Sequence, residues 1–215
     1  EKVQLTKTRS DYGLPESSFV FCCFNNHYKI DPTLFAIWMQ LLKDLPNAVL
    51  WLLDETEFGK ANLLREATKH RIDETRLIFA QRVSRQEHIA RHQLADIYLD
   101  TFRVSARTSA SDALWAGLPI ITLPGNHFCN RVGASLVSAM NLPELIANSP
   151  DDYYNKAKFY AENPKQLTKL QKQVAKNLKS SALFNTKSFV KHLESAFKIM
   201  WQRYTDGEAT SRIEL

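Results

Sequence analysis

Glycine and cysteine are scarce in this chain, six and three among 215 residues. No GxGxxG turn, Walker loop or GxSxG nucleophile elbow occurs, so three common nucleotide and hydrolase signatures are excluded. Cys22 and Cys23 are adjacent inside an apolar run, which makes neither a disulfide framework nor a zinc pattern. Buried free thiols are the simplest reading, and they point to a reducing, cytoplasmic setting. His127 and Cys129 have no partners at metal-ligand spacing, so no metal site is expected. No apolar stretch approaches the roughly 20 residues that span a bilayer, and no leader peptide is visible, so no membrane partner is expected. Lysine and arginine number 28 against 23 acidic residues, a net charge of +5 with no dense basic block. That argues against a nucleic-acid surface and suits a small polyanion.

What is present is an ordinary globular composition, 44% hydrophobic and 24% charged, long enough to bury a full core. Residues 1–16 are polar and read as a linker. Residues 17–204 form the folded lobe, and 205–215 a frayed tail. The opening Glu1 on a polar segment is what a piece excised from a longer protein, or a processed chain, would show. Buried-strand runs fall at 18–24, 48–53, 76–80, 97–100 and 120–123, with a short sixth candidate at 144–147. Helical periodicity marks 33–45, 60–70, 84–94, 108–116 and 130–140, then 151–162, 164–178 and 186–203. This alternation predicts an α/β fold, a Rossmann-like parallel sheet with helices on both faces. Ligands of such folds bind outside the carboxyl ends of the strands.

Polar residues concentrate in the segments that fall there. After the first strand, FNNHYKIDP carries Asn25, Asn26 and His27, with Lys29 placed to meet a diphosphate as a mobile charge. The alternative is a solvated Lys29, with the asparagines shaping a turn and Asp31 or Thr33 capping the helix that follows. After the third strand, Arg85, His88 and Arg91 recur at i, i+3 and i+6 of a helix that Ser84 and Glu87 open as a capping box. They serve either a ligand or a solvated basic face. Behind DIYLDT comes RTSASDALWAGLP, where Arg107, Thr108 and Ser109 open a helix whose unpaired N–H groups and dipole suit a phosphate. Asp112, four residues after Thr108, is placed to accept from sugar hydroxyls. The competing reading makes Ser109 a simple cap with Asp112 as its capping-box partner.

FNNHYKIDP, PNAVLWLL, EHIARHQLADIYLDT, SASDALWAGLPIITLPG, NRVGAS and SALFNTKSF, in this order and spacing, closely resemble the carboxyl-terminal half of the catalytic region of O-linked N-acetylglucosamine transferases. The likeness covers roughly 18–204 and is most like a bacterial member. It implies the C-terminal, donor-binding lobe of a two-lobed GT-B glycosyltransferase that uses UDP-N-acetylglucosamine, inverts the anomeric centre, needs no metal or other cofactor, and modifies a Ser or Thr hydroxyl of a protein. By resemblance, Asn26 and Lys29 lie near the donor diphosphate, with Lys29 the essential cation. Val83 meets the base through its backbone, Arg85 contacts the nucleoside, and His88 and Arg91 stand beside it. Thr108 and Ser109 bind the diphosphate, and Asp112 the ribose.

Two departures stand out. Arg107 occupies a position where the family usually has His, and Asn26 one where it has Gln. They leave room for a different donor, a UDP-hexose or GDP-fucose, or for a non-catalytic nucleotide-sugar binder. The N-terminal catalytic lobe and the helical repeats expected to receive the acceptor are absent from this chain. The isolated chain is therefore expected to be inactive.

Overall fold

A computed structural model describes residues 4–214. Five strands, β1 (Phe19–Cys23), β2 (Ala48–Leu53), β3 (Leu77–Ala80), β4 (Ile97–Leu99) and β5 (Ile120–Ile121), form one sheet in the order β3-β2-β1-β4-β5. Every pairing is parallel; Phe21 sits between Leu50 of β2 and Ile97 of β4. Val20, Phe21, Cys22 and Cys23 are all buried. A continuous apolar run is what a strand covered on both faces requires.

The strand order reverses between β1 and β4. Right-handed crossovers then put α1 (Pro32–Asp44) and α2 (Glu57–Lys69) on one face, and α3 (Arg85–Arg91) and α4 (Thr108–Trp115) on the other. Asp31 caps α1, accepting from the N–H groups of Thr33 and Leu34, and Pro32 occupies its first position. The helix buries Leu34, Phe35, Trp38, Met39, Leu41 and Leu42. Each large side chain so placed contributes about 1.5–3 kcal/mol. Three further helices close the lobe: α5 (Val132–Ala139), α6 (Pro150–Glu162) and α7 (Pro164–Ser180). Trp38 Nε1 donates to the Tyr153 hydroxyl at 3.2 Å, fixing α6 against α1. A last helix, α8 (Thr186–Thr205), leaves Phe189, Phe197, Trp201 and Tyr204 exposed.

Several boundaries differ from the sequence reading, each for a local reason. Helix α2 begins at Glu57 rather than 60, because Thr56 caps it by accepting from Gly59 N–H. Helix α3 stops at Arg91 and tightens into a 3-10 turn over His92–Leu94. The stretch 144–147 is no strand: Pro143–Leu145 is a 3-10 turn, and only Ile146 bridges to Thr122. The opening segment, read as a linker, packs on the lobe. Arg9 donates to the carbonyls of Leu94, Glu16 and Ser18 and pairs with Asp96 at 3.0 Å, while Leu14 enters the core and Tyr12 packs 5.4 Å from Trp51. Its polar composition concealed this, because one arginine satisfying three carbonyls leaves no hydrophobic pattern.

Candidate functional site

The strand order makes the gap between β1 and β4 the topological switch point, where open parallel sheets bind ligands. Asn25 leaves β1 at this point and Asp100 leaves β4. The two are joined: Asn25 Nδ2 donates to Thr101 Oγ1 at 2.8 Å and lies 3.5 Å from Asp100 Oδ1. Asp100 is fully buried. Its Oδ1 accepts from Thr101 N–H and Ala106 N–H at 2.8 and 2.6 Å, and its Oδ2 from the Thr122 hydroxyl at 2.8 Å. The loop 101–106 is thus wound around one carboxylate. Burial pushes that carboxyl up to about 6, against the pull of Ala106 N–H, Thr122, Thr101 N–H and the Lys29 charge.

Gly133 completes this knot. A Cβ there would lie 2.2 Å from Asp100 Oδ2 and 2.7 Å from Thr122 Oγ1, so only glycine lets α5 approach. Its N–H donates to Ser105 Oγ at 3.2 Å. Sequence reasoning missed Asp100, Ser105 and Gly133 and left Asn25 as a turn former. The available signal was an Asp-Thr pair directly behind a buried strand, facing an Asn directly behind another.

Lys29 stands on the 3-10 turn His27–Lys29, and its Nζ reaches the Ser105 carbonyl at 3.4 Å. Burial lowers its pKa; the Asp100 charge opposes this, and the nearby Arg107 adds to it. Arg107 is exposed at the head of α4, its guanidinium 5.6 Å over the ring of Phe128. No side chain caps α4. The Ser109 hydroxyl, a candidate cap from sequence, donates instead to Asn25 Oδ1 at 2.9 Å. Asp112 is engaged by Arg85 at 3.1 Å rather than by a helix N–H. The capping-box alternative is therefore not what this helix uses. Two cations face a helix start whose N–H groups meet no side-chain acceptor, an arrangement complementary to an anion.

The other sequence candidates divide by depth. Thr108 is exposed at the start of α4, and its hydroxyl has no partner among the described residues. Asn26 gives its backbone carbonyl to Lys29 N–H at 3.0 Å, while its side chain has no partner among the described residues. Val83 is half-buried in the turn between β3 and α3. Arg85 is exposed and reaches across to α4, whereas Asp112 is buried, which raises its pKa against the pull of Arg85. Arg85, His88 and Arg91 therefore lie at different depths, exposed, half-buried and buried in turn. Arg91 was expected among the ligand contacts, but it is fully buried, its Nη1 donating to the Gln81 carbonyl at 2.6 Å and its Nη2 reaching His88 Nδ1 at 2.7 Å. Burial drives His88 down to about 4, with Arg91 and Arg85 adding repulsion.

The rim is open. Among the described residues, three cavities of about 590, 540 and 480 Å³ lie elsewhere, the second lined by His27, Tyr28, Phe35, Phe58 and Leu63, and none of the three joins Lys29 to Thr108 or Asp112. Among the described residues, no group of three or more His, Cys, Asp or Glu side chains is arranged to hold a metal, and no helix is long and apolar enough to cross a membrane.

A five-stranded parallel sheet of this order, covered by helices on both faces, is the Rossmann-like fold of the C-terminal lobe of GT-B glycosyltransferases. Two solved structures share the fold at low identity: the C-terminal domain of a group 1 family glycosyl transferase from Francisella tularensis (TM-score 0.61, 13% identical, covering 83% of this chain and 95% of that one), and sucrose-phosphate synthase from Thermosynechococcus elongatus (TM-score 0.64, 15% identical, covering 90% and 48%). The chain belongs to glycosyl transferase family 41, whose profile matches residues 1–193. It is 39% identical over 93% of its length to the probable UDP-N-acetylglucosamine–peptide N-acetylglucosaminyltransferase SEC of Arabidopsis thaliana, and 33% identical over 94% to the UDP-N-acetylglucosamine–peptide N-acetylglucosaminyltransferase of Caenorhabditis elegans. A K341M mutant of Thermobaculum terrenum O-GlcNAc transferase superposes with a TM-score of 0.80 at 28% identity, over 86% of this chain and 36% of that one. The chain spans about a fifth of these curated relatives, 21% and 18%.

Proposed function

We propose that this chain is the donor-binding lobe of a protein O-glycosyltransferase that uses UDP-N-acetylglucosamine. The observation that carries the reading is the junction of two loops at the switch point, Lys29 Nζ on the Ser105 carbonyl and Ser109 Oγ on Asn25, directly before an uncapped helix. Lys29, Arg107, Thr108 and the first N–H groups of α4 hold the diphosphate. Asp112, oriented by Arg85, accepts from the ribose; Val83 and His88 flank the base.

In the reaction, the acceptor Ser or Thr oxygen bonds to the anomeric carbon as the bond to the β-phosphate oxygen breaks. The electron pair leaves with UDP, and the acceptor proton passes to a base outside this chain. Attack opposite the leaving group inverts the anomeric centre. Negative charge grows on the leaving diphosphate, and fixed cations and N–H groups stabilise it without reorganisation and without a metal. On this reading the acceptor-binding surface and the other catalytic wall lie outside this chain, which spans about a fifth of its curated relatives.

Calorimetric titration of UDP, UDP-N-acetylglucosamine, UDP-glucose and GDP into the chain tests this. UDP nucleotides should bind, and GDP should bind at least tenfold more weakly. Preference for GDP would instead support the altered donor suggested by Arg107 and Asn26. Absence of any UDP binding would overturn the donor-lobe assignment.

A further inference from the structure

Arg91 is an unusual residue to bury, since no carboxylate among the described residues forms an ion pair with it. Its guanidinium lies 4.5 Å over the ring of Phe24 and 5.9 Å over Trp51, with Nη1 on the Gln81 carbonyl. The ring of His88 rests 5.3 Å from Phe24 and 5.0 Å from His92. Guanidinium can only donate, so the 2.7 Å contact from Arg91 Nη2 makes His88 Nδ1 an acceptor. The ring proton must then sit on Nε2, which has no partner among the described residues.

We propose that Arg91 is a positioning residue that locks His88 in its neutral Nε2–H tautomer, so that the ring offers a permanent donor to an oxygen of the nucleoside. This rests on the donor-lobe reading and adds to it the rule for one contact: the group recognised is an acceptor, a pyrimidine carbonyl or ribose oxygen. The charged groups around His88 all favour this state or are engaged elsewhere. Arg85 and Arg91, on the same helix, both oppose a second ring proton. Glu87 is taken by Lys7 and by the Tyr12 hydroxyl at 2.9 Å. From α4, Asp112 is paired with Arg85. His92 Nδ1 donates to the His88 carbonyl at 2.8 Å and is itself driven down to about 3 by burial, so it adds no charge. Donor binding is consequently indifferent to protonation at His88 above about pH 5.

The test uses the chain with 15N-labelled histidine and UDP as the probe. Long-range proton–nitrogen spectra should show His88 with its proton on Nε2, no titration between pH 5 and 8, and a displaced Nε2–H signal on adding UDP. In Arg91→Met the burial that chiefly depresses the ring remains, so His88 should stay largely neutral but lose the donor that fixes Nδ1 as an acceptor; its nitrogen shifts should report a mixture of the two tautomers, and UDP affinity should fall several-fold at pH 7.5. Because Arg91 is buried and its replacement can unfold the lobe, His88→Phe provides a second arm: the ring's packing stays, the donor goes, and UDP affinity should fall about five- to twentyfold at every pH. A proton on Nδ1, titration of the parent chain near 6.5, or a His88 signal that UDP leaves unmoved would each overturn the inference. A chain that shows the locked tautomer yet binds no UDP would instead overturn the donor-lobe reading, and the nucleoside contact with it.

Discussion

Replacing Lys29 with methionine keeps a side chain of similar length and deletes the ammonium group. The folded lobe depends little on that group. Its one side-chain hydrogen bond among the described residues, to the Ser105 carbonyl, is 3.4 Å long, beyond the usual range, and contributes at most about 0.5 kcal/mol. Burial lowers the Lys29 pKa, so the native protein carries a cost for holding this charge at any pH below that value. Methionine removes the cost. Stability should stay level or rise slightly. On the proposed reading, the diphosphate depends on the group far more. A unit charge about 4 Å from a diphosphate oxygen gains about 4 kcal/mol at a near-surface effective dielectric of 20, and after desolvation a charge-assisted hydrogen bond nets about 1.5–3 kcal/mol. That corresponds to about a 10- to 150-fold loss in UDP affinity. In the longer protein kcat should fall further than affinity does, because charge on the diphosphate increases as the glycosidic bond breaks. Urea unfolding and calorimetric UDP titration, done on the same preparation, separate the two effects. A UDP Kd within twofold of the parent in a fully folded variant would refute the assignment of Lys29 to the diphosphate.

Three further substitutions probe the knot behind the rim and the frame that carries it. Gly133→Ala sets a methyl 2.2 Å from Asp100 Oδ2; the loss of one or two buried hydrogen bonds outweighs the gain of about 1 kcal/mol in helix propensity, so the urea midpoint should fall by about 2–4 kcal/mol equivalent and UDP affinity with it. Asp100→Asn removes a buried carboxyl raised to about 6. Because its native value lies above its unfolded one, the parent loses stability as pH rises from about 4 to 6, and the variant's relative stability should improve by about 2–3 kcal/mol between pH 4.5 and 7.5; an unchanged gap in unfolding experiments would contradict the burial argument. Arg76→Met strips the donors that serve the carbonyls of Leu42, Leu45 and Ala48, leaving them short of partners at the α1–β2 corner. Thermal unfolding should register a loss of about 2–4 kcal/mol, while UDP affinity, set on the far side of the sheet, should hold.

Elements stabilised mainly by their own sequence neighbours were legible in the sequence. The apolar runs that became β1 and β2, the caps Asp31 and Ser84, and the three closing helices all follow from spacing. The resemblance of six ordered motifs correctly identified the family, and the alternation of elements the sheet. Legibility failed where a partner lies far along the chain. Asn25 reads as a turn residue until it meets Thr101, 76 residues on. Asp100 reads as a strand end until Ala106 and Thr122 converge on it. Arg91 has the helical spacing of a surface cation, and only Phe24, Trp51 and the Gln81 carbonyl reveal that it is internal.

The amino-acid order alone therefore determined which segments become strands and helices, and that cations and hydroxyls cluster behind the strands, because burial periodicity and capping are local properties. The tertiary structure decided which of those polar groups stand exposed at the rim and which hold the others in place. A side chain's direction depends on the neighbours that the strand order brings to it, and no spacing rule contains them.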